Sequence, residues 1–259
     1  MNVWVLTQEE PFYLPVFFER FFAGLPSNVT VAGVHISQPF NSQSGWVEVI
    51  RDHLGYYGPR AFVEQGLLFA LYKAKDRLGG SGRFYSVRRC CEASGVRVAA
   101  AGAVNGAKFQ SALKEASVDL LISVACPKIL KAKTLATPAL GAVNFHCAKL
   151  PKYRGMAPLF WAMLNGESET AVTIHQINEG IDDGDILDQT SIPILPGDTL
   201  NDLYNRAIEV GPARLNAVLQ QLRDGTAQPR ENDKATSSYF GFPDAKAGSA
   251  FREKGLKFR

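Results

Sequence analysis

Strand, helix, strand is the order written into the first 36 residues. Val3 to Leu6 is a short β-branched and aliphatic run. From Phe12 to Phe22, the residues Leu14, Phe17, Phe18, Phe21 and Phe22 recur at helical spacing, and Val29 to Ile36 is a second β-branched run. A βαβ opening requires a right-handed crossover and a parallel sheet with helices on its faces. No G-x-G-x-x-G follows the first strand, so the dinucleotide-binding fingerprint is missing.

The alternation continues. Residues from Ser44 to about Leu78 carry helical segments, including Ala61 to Lys75 with its apolar residues Phe62, Leu67, Leu68, Phe69, Leu71 and Tyr72. That segment is expected to pack on its own domain, with a subunit or membrane contact as the alternative. The Gly79-Gly80-Ser81-Gly82 cluster reads as a loop. Then come a helix near Tyr85 to Ala93, a strand near Val96 to Ala100, a helix near Ala107 to Ala116 and a strand Leu120 to Ala125. Further strands are expected at Ala142 to Phe145, Ala171 to Ile177 and Ile186 to Ile194, with a short helix from about Ala157 to Leu164. A long helix from Thr199 to Arg223 carries Asp202 at the capping-box position and a Gly211-Pro212 pair that should kink it. The fold class is α/β: a Rossmann-like, mostly parallel sheet with helices on both faces, plus a short C-terminal appendage. After Gly225 the aromatic and basic run from Tyr239 to Arg259 closes the sequence, a tail too short for an independent domain.

Composition limits the partners. Of 259 residues, Lys and Arg number 28 against 25 Asp and Glu, so the formal net charge of +3 does not by itself call for a nucleic-acid ligand. No stretch is long and apolar enough for a membrane span, and the first residues lack the basic-then-apolar pattern of a signal peptide, so a cytoplasmic location is expected. Cys90, Cys91, Cys126 and Cys147 have no C-x-x-C spacing, so reduced thiols are expected and neither a zinc site nor a disulfide framework is indicated.

Two features carry chemistry. Asn144 and His146 lie two apart on a predicted strand, which turns both side chains to one face near its carboxyl end, where open α/β sheets gather ligands. Taken alone, the pair also fits a hydrogen-bonded strand end with a structural histidine. The second feature is the acidic segment Glu179-Gly180-Ile181-Asp182-Asp183-Gly184-Asp185, which alone also fits a solvated turn and lacks the ligand order of an EF-hand.

Taken together and in order, several segments form a pattern: Asn144-Phe145-His146; Leu150-Pro151-Lys152-Tyr153-Arg154-Gly155-Met156-Ala157-Pro158; Asn165-Gly166-Glu167; Val172-Thr173-Ile174-His175; and the acidic segment. This pattern resembles the 10-formyltetrahydrofolate-dependent formyltransferases, strongly over residues 95 to 225 and only in element order over the first 36. The resemblance implies a catalytic set of Asn144, His146 and Asp182. It also implies N10-formyltetrahydrofolate as formyl donor, with Cys126, Pro127, Lys128, Ile129 and Leu130 as its contacts, and no metal. Lys152, Tyr153 and Arg154 are the implied acceptor contacts. Ala148 stands where many members have a serine, which removes a hydroxyl contact used elsewhere. The implied domain division is a catalytic domain over 1–225 with a helical insertion about 44–90, and a tail over 226–259.

The residue types suit formyl transfer independently of the resemblance. Moving a formyl group between nitrogens passes through a tetrahedral oxyanion, which an Asn144 amide and a protonated His146 can stabilise, while a carboxylate such as Asp182 takes the amine's proton directly or through water. Cys147 is expected to face away from the site. Only 34 residues follow Gly225, against the roughly hundred-residue tRNA-binding barrel of methionyl-tRNA formyltransferases, and the Tyr153 to Pro158 stretch is unlike glycinamide ribonucleotide formyltransferases. The sequence is therefore most similar to nucleotide-sugar N-formyltransferases, of the GDP-perosamine type used for O-antigen. The alternatives are a tRNA formyltransferase with a reduced tail and a catalytically silent folate-binding or interaction protein. The segment Ala61 to Lys75 and the tail Tyr239 to Phe258 are candidate nucleotide or subunit contacts in a homodimer.

Overall fold

The computed structural model describes residues 1–38, 45–79, 82–100 and 102–259. Gly80 and Ser81 of the expected loop, and residue 44 at the start of the expected insertion, lie outside them. Strand β1 (Asn2–Gln8), helix α1 (Leu14–Ala23) and strand β2 (Thr30–Ser37) form the expected opening, with β1 and β2 parallel. The hairpin of α2 (Trp46–Tyr57) and α3 (Pro59–Leu78) follows, then α4 (Val87–Ala93), α5 (Ala107–Glu115), β3 (Leu120–Val124), α6 (Ala132–Leu135) and β4 (Ala142–His146). The chain continues through β5 (Arg154–Gly155), α7 (Pro158–Leu164), β6 (Glu169–Gln176), β7 (Ile186–Pro193), α8 (Leu200–Asp224), β8 (Tyr239–Phe240) and α9 (Ala245–Glu253). The main sheet has the order β2-β1-β3-β4-β6-β7; its first four strands are parallel and β6 and β7 are antiparallel.

Strand alternation sorts side chains between two cores. Val3, Val5, Ile122, Val124, Val143, Phe145, Val172 and Ile174 face the larger one, with Phe17, Phe18 and Phe21 of α1 and Leu203, Leu215 and Leu219 of α8. Each of those α1 phenylalanines is essentially fully buried, and burying such a side chain contributes about 1.5–3 kcal/mol. On the opposite face Trp4, Leu6, Leu121 and Ala142 meet Phe109 and Leu113 of α5. The same parity that sends Val143 and Phe145 into the larger core turns Ala142, Asn144 and His146 to the other face.

Helix α8 carries the predicted capping box: the Thr199 side chain accepts from the Asp202 N–H, and the Asp202 carboxylate accepts from the Thr199 N–H. It runs through Gly211 and Pro212 as one element. Pro212 has no N–H for the carbonyl four residues earlier, and that carbonyl, Ile208 O, accepts from Arg20 Nη1 of α1 at 3.3 Å. The adjacent Gly211 lies against Phe145, whose ring would stand 2.3 Å from an added Cβ.

One expectation is corrected and another is met only in part. Residues Val96 to Ala100 are not a strand: they make a single bridge, Val98 with Val34, bonded through Arg97 O and the Ala99 N–H. A five-residue run ending in two alanines has too little β preference to add a full edge strand. The apolar helix over Ala61 to Lys75 forms, as part of α3, and packs on its own domain in part: Phe12 meets Phe69 and Tyr72, and Ala61 lies against the larger core, but no residue of α3 is fully buried.

The tail threads back over the fold. β8 pairs in parallel with β5, and α9 lies against α2, with Phe251 and Phe258 buried beside Tyr56 and Phe160. The tail's aromatic residues are thus largely spent within the chain; Phe240 stacks on Tyr153 and Trp161, while Tyr239 and Phe242 remain exposed.

Candidate active site

Three pieces of chain converge at the middle of the sheet. In the antiparallel register of β4 and β6, Asn144 stands opposite His175 and His146 opposite Thr173. The loop between β6 and β7 then carries Asp182 back over these residues. Its carboxylate is the hub. Oδ1 accepts from Asn144 Nδ2 at 3.2 Å and lies 3.4 Å from His175 Nε2, while Oδ2 accepts from the Gly155 N–H at 2.8 Å and lies 3.7 Å from His146 Nδ1.

Burial by itself would raise the Asp182 pKa. The charge of His146, the hydrogen bond and charge of His175, and the Gly155 N–H outweigh that penalty and hold the carboxyl well below the usual aspartate range. Asp182 is therefore ionised. His146 is buried, and its Nε2 meets the Tyr153 carbonyl at 3.0 Å. Both of its ring nitrogens face oxygen acceptors, an arrangement that the doubly protonated ring satisfies. His175 Nδ1 meets the Gln176 carbonyl at 2.7 Å and so carries a hydrogen, and Nε2 is 3.2 Å from Asn144 Nδ2. With a neutral ring, Nε2 accepts from Asn144; with a charged ring it donates to Asp182.

Backbone strain gathers here. Ala125, Tyr153, Ala157 and Asp182 have positive φ, four of the five non-glycine residues that do so among those described. Gly155 adopts φ +97, and a Cβ there would stand 2.2 Å from Phe240 O, so the β5–β8 pairing and the N–H aimed at Asp182 both depend on a glycine.

The structure brings Asn144, His146 and Asp182 together. It adds His175, which the sequence analysis quoted within a motif without giving it a role; two strands of alternating parity, read in register, would have placed it beside Asn144. Asn232 was missed as well. Its Nδ2 donates to the carbonyls of Asp182 and Gly184 at 2.9 and 3.0 Å, and nothing in the sequence joins it to a loop some fifty residues away.

The expected donor contacts follow β3, one strand from β4. Cys126 and Pro127 are half-buried, Lys128 and Ile129 are exposed, and Leu130 is buried in the smaller core. Asn105 clamps this loop by donating to Ile129 O and accepting from the Lys131 N–H. Of the expected acceptor contacts, Lys152 is exposed, whereas Tyr153 and Arg154 turn inward. Tyr153 Oη donates to Glu167, and Arg154 Nη2 donates to the Asn232 carbonyl and side-chain oxygens. Cys147 lies against the larger core, where burial pushes its thiol up to about 12.

Immediately after β1, Glu10 accepts from the N–H groups of Phe12, Tyr13 and Leu14, and Glu9 from those of Val87 and Arg88 at the start of α4. The first βα turn, where doubly wound folds seat phosphate at a helix N-terminus, is thus already filled by a carboxylate.

A polar cluster at the end of a central strand of an α/β sheet, faced by an acidic loop, stands where such folds gather ligands, and the first βα turn lacks the glycine-rich seat of a dinucleotide-binding site. Residues 43–219, more than half of the chain, match the formyl transferase family, and the chain belongs to it. Solved structures share the fold. An N-formyltransferase from Helicobacter canadensis, in complex with folinic acid and dTDP-3-aminofucose, is 18% identical with a TM-score of 0.60, over 98% of this chain and 82% of that one. Glycinamide ribonucleotide transformylase 1 from Symbiobacterium toebii is 17% identical at 0.59, over 90% and 94%. A 4-N formyltransferase from Francisella tularensis is 16% identical at 0.58, over 93% and 76%. Among the described residues, no cluster of His, Cys, Asp and Glu is arranged to hold a metal, and no helix is long and apolar enough to cross a membrane.

Proposed function

We propose that this formyltransferase moves the formyl group of N10-formyltetrahydrofolate to the amine of a nucleotide-linked amino sugar, with a GDP-perosamine type of acceptor as the specific reading and O-antigen assembly in the cytoplasm as its setting. The observation that carries the chemistry is the Asn144, His146 and Asp182 cluster, in which Asn144 donates to the Asp182 carboxylate and His146 Nδ1 stands 3.7 Å from it. The amine nitrogen attacks the formyl carbon, forming a C–N bond and placing negative charge on the formyl oxygen. Asn144 is the donor nearest the centre, but in the ligand-free site its amide hydrogens are directed at Asp182 and His175. Substrate must therefore exchange one of these contacts for the oxyanion.

A carboxylate held by this many donors is a weak base. Asp182 accordingly takes the amine's proton through a water, or after one of its contacts has been given up, with His146 Nδ1 3.7 Å from its carboxylate. Collapse of the intermediate breaks the bond to folate N10, which picks up a proton as it leaves. Lys152, exposed at the edge of the site, is the proposed contact for acceptor phosphate, and the loop from Cys126 to Leu130 the proposed folate contact.

The acceptor reading draws on the fold shared with the Helicobacter canadensis enzyme, whose complex contains a nucleotide amino sugar. Glu10 fills the first βα turn by accepting from three backbone N–H groups, so the proposed contact for the acceptor's phosphates is placed at the exposed Lys152 instead. The test is a panel of GDP- and dTDP-linked amino sugars, glycinamide ribonucleotide and methionyl-tRNA, each assayed with N10-formyltetrahydrofolate. Formylation of a nucleotide sugar with shallow salt dependence is expected. Efficient transfer to methionyl-tRNA, falling by orders of magnitude between about 50 and 200 mM salt as a polyphosphate ligand would, would overturn the acceptor and leave the formyl-transfer chemistry standing.

A further inference from the structure

The loop that carries Asp182 is held from the tail. Asp182 adopts a left-handed φ of +48, a conformation that costs energy for any residue with a Cβ. Its backbone therefore needs outside support, and the direction of its carboxylate follows from that backbone. The tail returns to this place where Arg230 bridges Ile186, its N–H donating to Ile186 O and its carbonyl accepting from the Ile186 N–H. Two residues further on, Asn232 is 3% exposed and sends Nδ2 to the Asp182 carbonyl at 2.9 Å and the Gly184 carbonyl at 3.0 Å. One amide group spans the turn, and both of its hydrogens are used.

Arg154 fixes the sense of that amide. It is 8% exposed, and its Nη2 donates to Asn232 O at 3.2 Å and to Asn232 Oδ1 at 3.1 Å. With a guanidinium on the oxygen side and two carbonyls on the nitrogen side, only one amide orientation satisfies every partner. The guanidinium stays charged at any working pH, so the arrangement does not titrate. Arg154 also sits between two residues of the site: the Tyr153 carbonyl meets His146 Nε2, and the Gly155 N–H donates to Asp182 Oδ2. Lys234 reaches the same loop, 3.1 Å from Asp183 Oδ2, but its side chain is mostly exposed and such a pair contributes little.

We infer that Arg154 and Asn232 are positioning residues for formyl transfer, acting through Asp182 and touching neither donor nor acceptor. The inference rests on the proposed role of Asp182, and it removes Arg154 from the expected acceptor contacts. An arginine that recognises phosphate presents its planar fork to the ligand; here Nη2 is turned to Asn232 and Nε is buried. Loss of either residue releases the two carbonyls, lets the Asp182 backbone relax and swings its carboxylate away from Asn144 and His146. A displacement of about 1 Å in such a group costs on the order of 100-fold in rate.

The test uses the full chain, N10-formyltetrahydrofolate and the acceptor that the wild type formylates best. Asn232→Ala should lower kcat roughly 10- to 100-fold and leave KM for donor and acceptor nearly unchanged. Asn232→Asp keeps the side-chain volume and an oxygen on Arg154 but offers no hydrogen to the two carbonyls. It should melt near the wild-type temperature and still lose kcat to a similar degree. Arg154→Gln should show the same split between kcat and KM. Added to Asp182→Asn, Asn232→Ala should cost less than about twofold more, because residues acting through one group are not additive; a merely structural loss would multiply. Near-wild-type kcat in Asn232→Ala or Asn232→Asp, a full further loss in the double variant, or an Arg154→Gln effect confined to acceptor KM would overturn the inference while Asp182 kept its role. Wild-type turnover in Asp182→Asn would overturn that role and this inference together, which sets the two failures apart.

Discussion

The Gly155 backbone N–H donates to Asp182 Oδ2 at 2.8 Å, across 27 residues of sequence. One peptide group thereby ties the loop after β4 to the loop after β6, at the oxygen that also faces His146. Gly155→Ala would drive a Cβ into Phe240 O and penalise a positive φ at the same position. We expect a loss of about 2–4 kcal/mol in equilibrium unfolding, with activity lowered even where the variant is fully folded. Wild-type denaturation midpoints and turnover in Gly155→Ala would show that the link is dispensable.

Asn144→Ala removes the proposed oxyanion donor while leaving the strand backbone intact. Turnover should drop by roughly two to three orders of magnitude, with an unchanged circular-dichroism spectrum. Single-turnover assays with saturating donor and acceptor separate this chemical loss from weakened binding, and a variant within tenfold of wild type would rule out Asn144 as the oxyanion donor.

On the proposed mechanism His175 acts through Asn144 and Asp182, the two site residues it contacts. Its loss in His175→Ala frees one Asn144 hydrogen and one Asp182 contact, worth about 1–1.5 kcal/mol, hence about tenfold in kcat. KM for the acceptor should move little, and His175→Gln, which keeps a polar group on the same strand position, should recover part of the rate. A change confined to KM would instead make His175 a binding residue.

Asp182 also sets a pH dependence. Its pKa is depressed in the folded state, so the stability it contributes is complete above the ordinary aspartate value of about 3.9 and is lost as pH falls below it toward the folded-state value. Thermal melts of wild type and Asp182→Asn should therefore differ by a constant amount from neutral pH down to about 4 and converge only in stronger acid. Asp182→Asn should also reduce turnover by a factor of order 10² to 10⁴. Convergence of the two melting curves already near pH 6 would contradict the assigned ion pairs.

Much of the sheet was legible in sequence because its buried strands are short β-branched runs set off by glycines and turns, and Thr199 with Asp202 announced the last long helix. The candidate trio was legible in two ways: Asn144 and His146 share strand parity, whereas Asp182 was picked out of its acidic segment only by the family resemblance. His175 needed the register between β4 and β6, which antiparallel pairing sets and local sequence does not. The two-residue strands β5 and β8 carry no periodicity at all. Helix α3 was legible as a helix but the depth of its packing was not, since apolar spacing establishes a helix without saying how far it is covered.

Asn232 lies beyond residue 219, where the match to the family ends, yet its side chain grips the carbonyls of Asp182 and Gly184 while its own oxygens receive Arg154. The region shared with the family is thus not self-sufficient in this chain. A transplant cut at that boundary would carry Asn144, His146 and Asp182 and leave behind the clasp on the Asp182 loop, so the shape of the candidate site depends on the polypeptide's last thirty residues as well as on the family-matched segment.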